Sequence, residues 1–214
     1  MKKLIPLLCC LLLLLPCMVE GKEKVIDLKY KPREKVKVKP KKVPSVKIFI
    51  EDIRDGRSNP KIIGENKEEK TIQIETADAG GARQFLRGVL KKEFQGNGFS
   101  LVESAGAAQT IITGTLVKFW TLEKSRYKSD IQLKISVKNK AGLVAYNKTY
   151  AGTGGNFGHS LSEENYQESI SNAATSLVDK IFSDASLLRA LSEAPAMERG
   201  ASSSPAGKAV FGPR

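Results

Sequence analysis

Between residues 131 and 138 apolar and polar positions alternate: Ile131, Leu133, Ile135 and Val137 against Gln132, Lys134, Ser136 and Lys138. That period of two belongs to a β-strand with one buried and one wet face. Residues 110–120 form a longer run rich in β-branched side chains, and residues 143–150 follow the turn chemistry of Asn139, Lys140, Ala141 and Gly142. The three segments predict an antiparallel meander. Shorter strands are predicted over 46–51, where Val46, Ile48 and Ile50 alternate with Lys47, Phe49 and Glu51, and over 71–75 and 99–102.

Two stretches carry the helical period instead. Phe85, Leu86, Val89, Leu90 and Phe94 make one apolar stripe, with Asp78 placed to cap it and Gly96-Asn97-Gly98 placed to end it. Tyr166, Ile170, Ala173, Leu177 and Ile181 make a second, preceded by Ser160 and Glu163 at capping-box spacing. Phe182, Leu187, Leu188 and Leu191 extend or append to it. Residues 52–70 read as a long polar loop pinned by Ile62-Ile63, and residues 152–158 as a glycine-rich flexible connection. The pattern predicts an α+β domain over 46–192, a mostly antiparallel sheet with two amphipathic helices packed on one face. Residues 193–214 are expected to be a disordered tail.

The amino terminus changes the picture from fold to compartment. Lys2 and Lys3 precede the apolar run 4–15, which is too short to span a bilayer as a helix. Residues 1–21 therefore read as a signal peptide and predict export. Cys9, Cys10 and Cys17 all lie in this segment. Either cleavage after Gly21 leaves a mature chain without cysteine, or Cys17 becomes a lipidation site. Pro16 stands where envelope lipoproteins carry a small residue.

Charge adds one candidate surface. The chain has 35 Lys+Arg against 23 Asp+Glu. Residues 22–45 alone hold ten Lys/Arg and three acids, with Pro32, Pro40 and Pro44 excluding a continuous helix. This strip reads as an extended linker with an edge strand over 25–30, solvated by self-repulsion. Its alternative role is a cationic strip, with Lys35, Lys37, Lys39, Lys41 and Lys42, drawn to anionic envelope surface.

Reactive chemistry is sparse. His159 is the one histidine, and no serine sits in a nucleophile-elbow pattern. Residues 152–158 lack the Gly-Lys-Ser/Thr ending of a phosphate loop. In 51–57 (EDIRDGR) the two signs of charge are interleaved, which predicts mutual pairing or a fixed loop. No cofactor, metal or catalytic residue is expected. Nucleic-acid binding is disfavoured by export and by Tyr30 being the only aromatic within the basic strip.

The segments VKIFIEDIRDGR, Ile63-Gly64, FLRGVLKKEFQGNGF, AQTIITGTLVKF and YQESISNAATSLVDKIFSDASLLRAL together resemble bacterial envelope lipoproteins of the YajG type, and ABC-transport auxiliary lipoproteins look alike at this level. The resemblance implies a periplasmic, often outer-membrane-anchored, non-enzymatic domain and carries no catalytic residues. The expected function is an exported accessory module that binds an envelope protein or an anionic envelope surface. Asp52, Arg54, Gln132, Lys134 and Lys138, with the basic strip, are its candidate surface. The rival readings are an auxiliary subunit of a transport or assembly machine, and an enzyme acting on the cell wall, for which Asp52, Arg54 and His159 would have to converge.

Overall fold

The computed structural model describes residues 23–40, 43–68 and 71–197. The signal segment with Cys17, the lysines Lys41 and Lys42, and the tail from residue 198 lie outside the described residues.

The elements run β1 (Glu23–Val25), β2 (Lys47–Ile50), β3 (Arg54–Asp55), β4 (Ile62–Asn66), β5 (Ile72–Glu75), α1 (Gly81–Gly96), β6 (Ser100–Leu101), β7 (Thr110–Glu123), β8 (Tyr127–Asn139), β9 (Val144–Asn156), α2 (Glu163–Ser183) and α3 (Ala185–Glu193). Residues 193–197, at the head of the expected tail, close α3 and make a 3-10 turn with Ala194 buried.

The alternation at 131–138 produces β8, and β7 and β9 flank it along their whole length in antiparallel register. The other long edge of β7 carries β2, β3 and β4 in succession, each parallel to it. β5 is antiparallel to β4, and β1 and β6 close this side in parallel. The sheet is mixed, and by residue pairs mostly antiparallel as expected, with 29 antiparallel pairs against 13 parallel ones. Its parallel pairings are five against three antiparallel, but each spans only two or three residue pairs. Residues 52–70 depart from expectation: the loop predicted there contains β3 and β4.

Both predicted helices pack on one face of the sheet. The stripe Phe85, Leu86, Val89, Leu90 and Phe94 is buried. Phe94, Phe99 and Phe182 interlock with ring centroids 4.7–5.7 Å apart, tying α1 to α2. Burying such aromatic area contributes about 2 kcal/mol per side chain. Gly98, at φ +85°, turns the chain after α1 as predicted, since glycine alone takes this conformation at low cost. The start of α1 differs from expectation: Asp78 accepts from the Gly80 N–H, and the cap position is Gly80.

The glycine-rich stretch is not a flexible connection. Gly152, Gly154 and Gly155 lie within β9, and Gly152 and Gly154 sit directly under α2. A Cβ on Gly152 would stand 2.2 Å from the Ala173 carbonyl oxygen, and one on Gly154 2.3 Å from the Ala173 nitrogen. Glycine is there to let the helix backbone touch the strand.

The basic strip is not a free linker either. Its strand is β1, a little earlier than predicted, and Ile26 is buried. Beyond it the strip lies along α2. Lys31 N donates to Ser171 Oγ at 2.9 Å, Arg33 N to Asn172 Oδ1 at 3.2 Å, and Lys37 N and Val38 N to Asp179 Oδ1 at 2.8 and 2.9 Å. Backbone donors that proline-rich sequence would leave to water find acceptors on the helix instead.

Candidate functional site

Among the described residues no helix covers the second face of the meander. Residues opposite one another in register share a face, so the pairing assigns it. Arg54, Thr115, Lys134 and Thr149 form one row across β3, β7, β8 and β9. Ile111 and Lys138, Thr113 and Ser136, Lys118 and Gln132, and Trp120 and Asp130 form others. The structure therefore brings Arg54, Gln132, Lys134 and Lys138 together on one surface. Four cations there, Arg54, Lys128, Lys134 and Lys138, make no ion pair among the described residues, and Lys118 pairs with Asp130 at 2.5 Å. Strands with lysine on one side and isoleucine or valine on the other can form only if that side stays wet.

Sequence reasoning missed Lys118, Trp120 and Lys128 on this face. A β-bulge between Leu116 and Lys118 puts two exposed residues, Val117 and Lys118, in succession. It shifts the phase of β7, so even positions point inward before it and odd positions after it. The signal in the sequence is the inversion from Ile112, Leu116 to Phe119, Thr121.

The other candidates are placed elsewhere. Asp52 is exposed and pairs with Arg87 of α1 at 3.1 Å. Lys35, Lys37 and Lys39 are exposed along α2, with Lys37 joined to Glu34 at 2.5 Å. Asp55 and Arg57 fulfil the predicted internal pairing. Arg57 donates to both carboxylate oxygens of Asp55, at 2.9 and 2.8 Å, and to the carbonyls of Pro60, Ile62 and Phe119, which locks β3 to β4 and β7. Asp52, Arg54 and His159 do not converge. His159 sits beyond Tyr127, whose register partner is Glu123, eight residues along β7 from Thr115 beside Arg54. That is on the order of 25 Å of strand. His159 serves through its backbone oxygen, which accepts from Tyr127 at 2.6 Å and Asn165 at 3.1 Å.

Two polar clusters, one buried and one half-buried, brace the ends of the meander. At one end Glu123 accepts from the Tyr166 hydroxyl and, at 3.0 Å, from the Leu161 N–H. Burial alone would push its carboxyl up, but these bonds, with others from Ser160 and Asn66, hold it below the usual range. Burial also pushes the Tyr127 phenol up to about 12. Leu161 has φ +56°, a costly conformation outside glycine that the Glu123 contact secures. Ser160 belongs to this cluster rather than to the helix cap. The cap is Ser162, accepting from Asn165 N.

At the other end Asp184 caps α3 and accepts from Tyr146 and Tyr150 at 2.8 and 3.1 Å and from Lys148 at 2.5 Å. Against burial, these partners hold its carboxyl well below the ordinary value. Both clusters are internal braces. Among the described residues no group of three or more His, Cys, Asp or Glu is placed to hold a metal ion, and no helix is long and apolar enough to cross a membrane.

The family model described as uncharacterized lipoprotein matches residues 41–192. No protein among curated ones matches the chain. Protein XCC0632 from Xanthomonas campestris shares the fold at a TM-score of 0.51 and 10% identity, with 84% of this chain and 98% of that one aligned. PelC from Paraburkholderia phytofirmans, a dodecamer, aligns at 0.42 and 15% identity over 72% of this chain and 92% of its own. Lipoprotein GNA1162 from Neisseria meningitidis aligns at 0.37 and 8% identity over 64% of this chain and 99% of its own.

Proposed function

This chain belongs to the uncharacterized-lipoprotein family, a family of exported, envelope-associated proteins, and from that premise we propose that it is a non-enzymatic binding module held at the envelope. Its working surface is the uncovered face of the meander. Its place is the periplasmic side of the outer membrane, with Cys17 as the lipidated residue. The observation that carries this reading is the surface on which Arg54, Lys134 and Lys138 make no ion pair among the described residues, set on strands whose opposite face is committed to packing. Surface charge of one sign on a rigid sheet selects an acidic partner protein and speeds its encounter more than it adds affinity.

Photocrosslinking in the intact envelope tests it. A crosslinking residue at Gln132 or Lys134 is expected to give discrete adducts, and one at Glu164 or Lys180 on the helix layer to give none. Equal yields from both faces, or none from either, overturn the reading.

A further inference from the structure

The tether and the corner of the sheet nearest to it point to a membrane contact. Register carries one row across the whole sheet: Glu23, Gln73, Glu65, Leu122, Lys128 and Gly155. β1 runs antiparallel to β7, so its amino-terminal end is directed toward the β7–β8 hairpin. Cys17 precedes Glu23 by six residues. Even fully extended, that stretch spans only about 20 Å. A lipid on Cys17 would therefore hold the hairpin end of the domain, and not the opposite end, against the bilayer.

That end is built for such a contact. Lys124, Arg126 and Lys128 are exposed and make no ion pair among the described residues. Phe157, which follows β9 directly, is 75% exposed. Arg126, Lys128 and Phe157, with Trp120 and Leu122, line a hollow of about 870 Å³ that extends to Arg33 and Glu168. Most acids at this end are engaged or turned away: Glu123 is buried, Asp130 pairs with Lys118, Glu65 with Lys67, and Glu163 and Glu164 start α2 on the helix layer, while Glu23 and Glu168 make no ion pair among the described residues. Exposed cations beside an exposed aromatic match an interface of anionic headgroups over acyl chains.

We propose that the β7–β8 hairpin corner, with Lys124, Arg126, Lys128 and Phe157, docks onto the anionic lipid surface into which the chain's own amino terminus is anchored. This rests on the lipoprotein reading above. It would leave the upper rows of the same face, around Lys134 and Lys138, turned away from the bilayer and open to a protein partner.

Trp120 is the chain's single tryptophan, so it reports docking directly. The full chain, purified from envelopes, is reconstituted into phosphatidylcholine vesicles with or without a third of phosphatidylglycerol, part of the lipid being brominated. Docking predicts at least about twofold stronger quenching of Trp120 with phosphatidylglycerol, reversed by half-molar salt because exposed charges are then screened. It also predicts loss of that gain in Lys124→Glu/Arg126→Glu/Lys128→Glu and a partial loss in Phe157→Ser. Quenching that ignores lipid charge, salt or the triple variant overturns the docking. Mass spectrometry of the amino terminus separates the two readings. An acylated Cys17 with an unquenched Trp120 defeats the docking and leaves the lipoprotein reading standing. An unmodified Cys17 with charge-dependent quenching does the reverse.

Discussion

The two faces of the meander are made by the same three strands and answer to opposite rules. On the inner face Ile131, Leu133, Ile135 and Val137 have at most 1% exposure, and Gly152 and Gly154 bring α2 into backbone contact with β9. On the outer face the neighbouring residues along β8 are Gln132, Lys134, Ser136 and Lys138, and no helix among the described residues covers them. A side chain on the inner face is fixed by its neighbours' volumes. One on the outer face meets mainly water and its cross-strand partners, so composition there is free to follow function. The contrast separates the residues that specify the fold from those available to bind.

The sharpest way to break the contrast is to add one methyl group to the inner face. In Gly154→Ala the new Cβ would overlap α2 backbone at Ala173 and Ser169, which cannot yield as a side chain end could. A loss of about 3 kcal/mol is expected, seen as a large drop in the thermal midpoint. Gly142→Ala, at a turn with open space around it and φ +85°, is the control for glycine chemistry without a clash. Its cost should stay near 1 kcal/mol. Equal losses in the two variants would mean that close helix–strand approach does not hold the layers together.

Removing a brace comes next. Glu123→Gln keeps the shape but weakens the bonds from Tyr166 and Leu161 N, for an expected loss of about 2 kcal/mol at neutral pH. The Glu123 carboxyl is held below its ordinary 4.5 in the folded chain. Its contribution is therefore complete above that ordinary value and disappears as pH falls through the depressed folded one. Urea denaturation should show the gap between wild type and variant narrowing as pH is lowered from 6 toward 3. A gap that widens on acidification would assign the brace to something other than the ionised carboxylate. Asp184→Ala removes the cap of α3 and should cost about 1 kcal/mol, read in the same denaturation series.

Legibility followed physical range. Period two at 131–138 was readable because each face has a single environment, and the Phe85–Phe94 stripe because one helix face meets one sheet. The interleaved charges at 51–57 announced the Asp55–Arg57 pair, which closes within three residues. β7 was readable as a strand but not by face, since one bulged residue inverts the pattern halfway. The basic strip was misread because what fixes it is a set of acceptors on Ser171, Asn172 and Asp179, remote in sequence and unremarkable where they stand. Gly152 and Gly154 look like loop residues until the helix above them is seen. The candidate surface was legible in β8 and in Arg54; that these share one face, together with Lys118 and Trp120, needed the register of β3, β7 and β8.

The outer face completes the comparison with the smallest expected effect on stability and the largest on binding. Arg54, Lys134 and Lys138 make no ion pair among the described residues and stand on β3 and β8, the strands on either side of β7, so reversing their charge breaks no salt bridge. The combined variant Arg54→Glu/Lys134→Glu/Lys138→Glu should therefore unfold within about 0.5 kcal/mol of wild type, a shift of about 2 °C at most. In the same variant the discrete crosslinked adducts formed from Gln132 should disappear, because reversing the charge makes the face repel an acidic partner. A stability loss comparable to that of Gly154→Ala would show that the outer face belongs to the core after all, and adducts unchanged in a stable variant would show that its charge plays no part in recognition.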